Sequence, residues 1–241
     1  MVPSAWATSA FQEPGWRNEI EPMTTASTFW PRRLAAALFG LAALIGVQIP
    51  ARADITVGCY VDNYDMRIRG CTELIERGNL SRHDLGMAYA SRALGYSMLR
   101  RYEAAIEDYD RALALIPNSA MALNNRAWAY YRMGRPTEGE NDVERSLRID
   151  PTSAPAYDTR AHIHQALGRP APALRDYKEA IAWGGSEFIT MYQCGLTAQG
   201  LYRGPVDGVD NPELRSALAI CVENAECDPL PADKDCKGAT S

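Results

Sequence analysis

The stretch Tyr102-Glu-Ala-Ala-Ile-Glu-Asp-Tyr-Asp-Arg-Ala-Leu-Ala-Leu-Ile-Pro117 decides the architecture. Ala105, Ile106, Tyr109, Ala112 and Leu113 fall at helical spacing and lay one apolar stripe along a helix. Pro117 closes that helix, because proline lacks the amide hydrogen that a further turn needs. Pro151 stands 34 positions later, and the chain on either side superposes on that period.

Three copies follow, over 86–119, 120–153 and 154–186. Arg-Ala recurs at Arg92-Ala93, Arg126-Ala127 and Arg160-Ala161. A ring-bearing site recurs at Tyr96, Tyr130 and His164, and a turn site at Arg100, Gly134 and Gly168. The second half of each copy carries a small residue (Ala105, Gly139, Ala173) and then a bulky one (Tyr109, Val143, Tyr177). Small residues let paired helices approach, and bulky ones fill the holes between them. Pro136 and Pro170 fall at the start of second helices, where proline is tolerated. Spacing and residue type together resemble the tetratricopeptide repeat family. Upstream, Met66-Arg-Ile-Arg-Gly-Cys-Thr-Glu-Leu-Ile-Glu-Arg-Gly78 resembles the second helix of one more repeat, expected to cap the array. The expected fold class is all-α: a short helical-hairpin solenoid followed by a small disulfide-stapled helical domain.

The resemblance implies a concave face lined by first helices. Its positions in this chain are Met87, Ala90, Leu94 and Met98, then Met121, Asn124, Trp128, Tyr131 and Arg132, then Asp158, His162 and Gln165. Methionine and rigid aromatics suit a peptide or helix partner. The same residues could instead pack against neighbouring helices or the C-terminal region, and sequence leaves both readings open. His162 and His164 lie two apart on a helix, so they point different ways and read as structural rather than as a metal or catalytic pair. Arg92, Arg126 and Arg160 read as a device of the repeat, since a substrate site would not need three copies.

Beyond Ser186 the period is lost. Gly200-Leu-Tyr-Arg-Gly-Pro-Val-Asp-Gly208, preceded by Gln193 and Leu196 and followed by Pro212 and Ala217-Leu218, resembles the small helical peptidoglycan-binding domain of bacterial envelope proteins. Asn211, Leu214 and Cys221-Val222 depart from that pattern. The resemblance implies a helix–loop–helix unit with Gln193, Tyr202 and Asp207 as candidates for glycan binding; retention of the fold without the glycan is the competing reading.

At the other end, Arg32-Arg33, the apolar run from Leu34 to Ile49 and Ala51-Arg-Ala53 form an export signal with cleavage expected after Ala53. The run is shorter than the ~20 residues of a spanning helix. A twin-arginine signal at Arg32-Arg33 and lipidation at Cys59 are the weaker readings. Residues 1–22 are polar and precede the basic segment, so Met23 is the expected start. The expected organisation is then 1–22 upstream extension, 23–53 signal, 54–82 partial repeat, 83–185 three repeats, 186–222 C-terminal domain and 223–241 tail, with a periplasmic location.

The six cysteines, Cys59, Cys71, Cys194, Cys221, Cys227 and Cys236, all follow the cut, and an even count in an exported chain points to disulfides. Sequence distance pairs Cys59 with Cys71 and leaves four to pair among themselves. No Cys-x-x-Cys occurs, and His83, His162 and His164 are remote from the cysteines in sequence, so no metal is expected. A net charge of -5 argues against a nucleic-acid partner, which needs a concentrated basic surface. No phosphate loop or nucleophile motif follows the cut, so the expectation is a non-enzymatic chain without cofactor that binds another protein or peptide of the envelope.

Overall fold

A computed structural model describes residues 58–230. The expected upstream extension, the signal and its cleavage point, Cys236 and the last residues of the tail lie outside them. Among the described residues the ordered elements are helices: α1 (Tyr64–Glu76), α2 (Arg82–Met98), α3 (Tyr102–Leu115), α4 (Ala120–Arg132), α5 (Pro136–Ile149), α6 (Ala154–Ala166), α7 (Pro170–Ala198) and α8 (Pro212–Cys221). They pair as antiparallel hairpins, α2 with α3, α4 with α5, and α6 with the first half of α7. The chain is therefore an all-α helical-hairpin solenoid with a small disulfide-stapled unit at its C-terminal end.

The local chemistry explains the starts and stops. Asn63, Ser81 and Ser119 accept hydrogen bonds from backbone amides of the first turns of α1, α2 and α4, which would otherwise be left without partners. Proline occupies the first turns of α5 and α7. The hairpin turns pass through the left-handed region at Arg100 (φ 58°), Gly134 (φ 73°) and Gly168 (φ 68°). Arg100 accepts at that site the strain that glycine avoids in the other two copies.

The recurring arginine has one partner per repeat. Arg92 grips Asp108 with two hydrogen bonds of 2.6 and 2.9 Å. Arg126 holds Asp142 at 2.6 and 2.8 Å, and Arg160 holds Asp176 at 2.8 and 2.7 Å. Each fork joins the first helix of a repeat to the second, at a separation of 16 residues. Arg126 also reaches Asp110 of the preceding repeat, and Arg92 reaches Thr72 of α1, so the ladder runs along the solenoid. Planar guanidinium and carboxylate make this contact directional, which sets the register of one helix against the other.

Close packing sets the small-residue site. A Cβ on Gly139 would sit 2.7 Å from the carbonyl oxygen of Ala127 and 3.0 Å from its Cα, both backbone atoms of α4. Gly139→Val is therefore expected to cost about 1–3 kcal/mol, the range for an overpacked core. Thermal unfolding checks it; an unchanged midpoint would mean that α4 and α5 stand further apart than this.

The two ends of the array differ. At the N-terminal end, α1 packs on α2 and Cys59 is bonded to Cys71. At the other, α7 turns at Gly185 (φ 59°), and its second half leads into the C-terminal unit. There Cys221 is bonded to Cys227, and Cys194 is also in a disulfide. Third repeat and C-terminal unit share one core in which Ala161, Tyr177, Ile181, Tyr192, Leu196, Leu214 and Leu218 are buried together.

Candidate peptide groove and the strap that closes it

The first helices α2, α4 and α6 present one concave face. Among the described residues, it is open over the first two repeats. Met87 and Met121 line a cavity of about 670 Å³ together with Ile116, Ile149 and, from α7, Trp183 and Phe188. Asn124 and Asn125 belong both to that cavity and to a smaller one of about 60 Å³, which also involves Leu94, Met98, Trp128 and Arg132. The Arg132 guanidinium lies over the Trp128 ring, 5.4 Å from its centre. Tyr131 stands at the end of this stretch, its ring 5.2 Å from Trp128 and 5.4 Å from His162.

Over the third repeat the face is closed. Asp158, His162 and Gln165 are buried at 0%, 1% and 5% exposure. For these three the expected contact with a partner is corrected to internal packing. Their neighbours are α7 and a strap, residues 222–230, that crosses the face after α8. Gln165 donates from its side-chain nitrogen to the carbonyls of Cys221, Asn224 and Cys227, and its oxygen accepts from the Tyr177 hydroxyl at 2.9 Å. Tyr192 of α7 donates to Asp158 Oδ1 at 2.5 Å. The strap turns at Asp228, whose Oδ1 accepts from Leu230 N at 2.9 Å.

His162 joins the layers. Its Nδ1 lies 2.8 Å from the Asp158 carbonyl oxygen and its Nε2 lies 3.0 Å from Asp228 Oδ1. Both neighbours accept, so both ring nitrogens carry hydrogen and the ring is an imidazolium. Burial alone would push its pKa down, but the carboxylates of Asp158 and Asp228 outweigh it and hold the pKa well above the ordinary value. Asp228 is shifted down: its partial burial acts upward and the hydrogen bond and charge of His162 prevail. His164 is separate, 3.6 Å from Asp176 on the ladder side, with burial drawing its pKa down.

Residues 100–134 match the family described as TPR repeat, and residues 120–153 match the tetratricopeptide repeat. Helices α3, α4 and α5 lie within these two matches, so the similarity to tetratricopeptide repeats covers residues 100–153. The open part of the tetratricopeptide groove thus centres on matched sequence, and α4, which carries Met121, Asn124 and Trp128, lies wholly inside it. No curated protein matches the chain.

The C-terminal candidates have a different role from the one expected. Gln193 is fully buried and Tyr202 is 1% exposed. Gln193 Oε1 accepts from the amides of Asp207 and Gly208 at 3.0 and 2.9 Å, while its nitrogen donates to Asp207 Oδ1 and the Val209 carbonyl, each at 3.0 Å. Tyr202 donates to the Pro205 carbonyl and accepts from Asn211, both at 2.9 Å. Asp207 accepts from the Val209 amide, and this bond and the one from Gln193 hold its carboxyl below the usual range. For Gln193 and Tyr202 the expectation of facing a glycan is corrected, because their polar atoms fold the loop between α7 and α8; Asp207 joins that network but remains exposed. Asn211, one of the departures in the motif, caps α8 through Leu214 N at 2.8 Å.

Sequence reasoning overlooked Asn125, Trp183, Phe188 and Asp228. Trp183 carried a signal, a large apolar residue just before Gly184-Gly185, where the repeat pattern ends. Asp228 carried none, because its contact with His162 spans 66 residues of chain.

Proposed function

We propose that this chain is an exported, non-catalytic adaptor of the bacterial envelope that holds a protein or peptide partner in the groove of its first two repeats. The observation that carries this reading is the open cavity of about 670 Å³ between Met87, Met121 and Trp183, continuous through Asn124 with the Trp128 pocket. Methionine adapts its flexible side chain to the shape of a partner, and tryptophan offers a large rigid apolar contact of the kind that dominates interface energies. The disulfides at Cys59–Cys71 and Cys221–Cys227 support an oxidising compartment, as export to the periplasm would provide.

Of the two roles open to the C-terminal unit, the burial of Gln193 and Tyr202 favours the structural one, in which the unit ends the array and carries the strap. Co-sedimentation with purified peptidoglycan sacculi tests that choice, and pelleting of the whole protein but not of Tyr202→Ala would restore the wall-anchor reading.

Photo-crosslinking from Met121 in the cell tests the groove, with Glu107 on the exposed face of α3 as the control position. A defined adduct is expected from Met121 alone. Trp128→Ala should weaken capture by about thirtyfold, the equivalent of roughly 2 kcal/mol at an interface hot spot. Equal adducts from both positions, or none from Met121, would overturn the reading.

A further inference from the structure

The smaller cavity is built unlike the rest of the groove. Its apolar wall comes from Leu94, Met98 and Trp128. Among its lining residues, Ser97 Oγ, Tyr109 Oη and Asn124 Oδ1 are buried and have no hydrogen-bond partner among the described residues. Ser97 and Asn125 stand beside the Tyr109 hydroxyl, but neither meets it in hydrogen-bond geometry. Tyr109 is fully buried and Asn124 is 5% exposed. A folded chain seldom leaves even one such atom unpaired, because each costs the desolvation of a polar group. Three around one cavity, at the centre of a binding groove, mark a site completed by a guest.

The atoms specify the guest. Asn124 donates from Nδ2 to Asn125 Oδ1 at 3.3 Å, which turns its own Oδ1 away as a pure acceptor. The two hydroxyls can donate. They also accept, so a guest that offers a donor and an acceptor together at one tip satisfies all three atoms at once. The cavity holds about 60 Å³, well under the ~150 Å³ that accommodates benzene, so an aromatic ring is too large. A carboxylate lacks the hydrogen that Asn124 Oδ1 needs, although Arg100 and Arg132 line the same cavity and would attract its charge. We infer that this cavity is a receptor for a primary carboxamide, the side chain of an asparagine or glutamine presented by the bound partner. This rests on the groove reading above and adds what the partner must carry at its centre.

Titration of the isotope-labelled, oxidised protein with propionamide, propionate and 2-butanone, followed by amide NMR, tests the chemistry directly. Propionamide is expected to shift Ser97, Asn125 and the Asn124 side-chain amide saturably, and to bind at least about fivefold tighter than either control, as one or two extra hydrogen bonds would give. The double change Ser97→Ala with Tyr109→Phe should weaken propionamide about tenfold and leave 2-butanone within about twofold. It should also leave the melting temperature unchanged or higher, because the hydroxyls have no partner in the free protein. Propionate binding as tightly as propionamide, no saturable shift at these residues, or a lower melting temperature would each overturn the inference. The Met121 adduct distinguishes the two failures: if it persists while propionamide is ignored, the groove stands and the carboxamide receptor does not.

Discussion

Asp158→Ala is expected to lower the melting temperature of the oxidised protein by on the order of 10 °C. The carboxylate is fully buried, accepts from Tyr192 at 2.5 Å and lies 3.4 Å from His162 Nδ1. Removing it leaves a buried imidazolium and a buried hydroxyl short of a partner. Breaking a buried ion pair from one side costs about 3–5 kcal/mol, and a domain of this size loses roughly 2–4 °C per kcal/mol. Its pH dependence follows from the two shifted groups. His162 is raised, so its contribution is complete below its unfolded value of 6.5 and is lost as pH rises through the higher folded value. Asp228 is lowered, so its contribution is complete above 3.8 and is lost as pH falls through the lower folded value. Both are complete between 3.8 and 6.5, where the strap should hold best. Thermal unfolding across pH checks this, and a wild-type optimum on the alkaline side of the window, or a negligible effect of Asp158→Ala inside it, would contradict the arrangement.

Gly195→Ala is expected to unseat the strap. Gly195 lies within α7, and alanine there would ordinarily stabilise the helix by about 1 kcal/mol. In this position the added Cβ would stand 2.2 Å from the Pro229 carbonyl oxygen and 2.7 Å from the Leu230 carbonyl carbon. Neither is the end of a flexible side chain, so α7 and the strap cannot both keep their places. The cost should exceed the 1–3 kcal/mol of ordinary overpacking. Hydrogen exchange reads the result locally: protection at Leu230 N, held by Asp228, should drop by more than roughly tenfold, while that of α4 stays as it was. The third repeat would then present His162 and Gln165 to solvent. A stabilised protein with unaltered exchange would mean that the strap does not rest on Gly195.

These two positions explain why the groove is shorter than the repeat count suggests. Gln165 pairs with two main-chain carbonyls of the strap, Asn224 and Cys227, and with that of Cys221 at the end of α8, in the manner a groove residue would treat an extended peptide. The chain supplies its own occupant for the third repeat, and Cys221–Cys227 closes a loop within that segment.

The repeat was legible in the sequence because its physics is local. Helical spacing of apolar residues, a proline at the end of the second helix in the first two repeats and a left-handed turn at residues 100, 134 and 168 are each set within a few residues of chain. The arginine ladder was half legible. Arg92, Arg126 and Arg160 stood out, while Asp108, Asp142 and Asp176 recur on the same 34-residue period and went unread as their partners. Seven of the expected groove residues, Met87, Leu94, Met98, Met121, Asn124, Trp128 and Arg132, line the open cavities, since position on a first helix already determines which way they face.

The fate of Asp158, His162 and Gln165 was beyond local reasoning. Their face is closed by a segment more than 55 residues away, through contacts that depend on how α7 turns at Gly185. The motif around Gly200–Gly208 misled for a related reason: sequence displays which polar residues are present, but only packing decides whether Gln193 and Tyr202 look outward or spend their hydrogen bonds on their own loop. Periodicity thus determined the array by itself, and burial in three dimensions decided which part of it stays open.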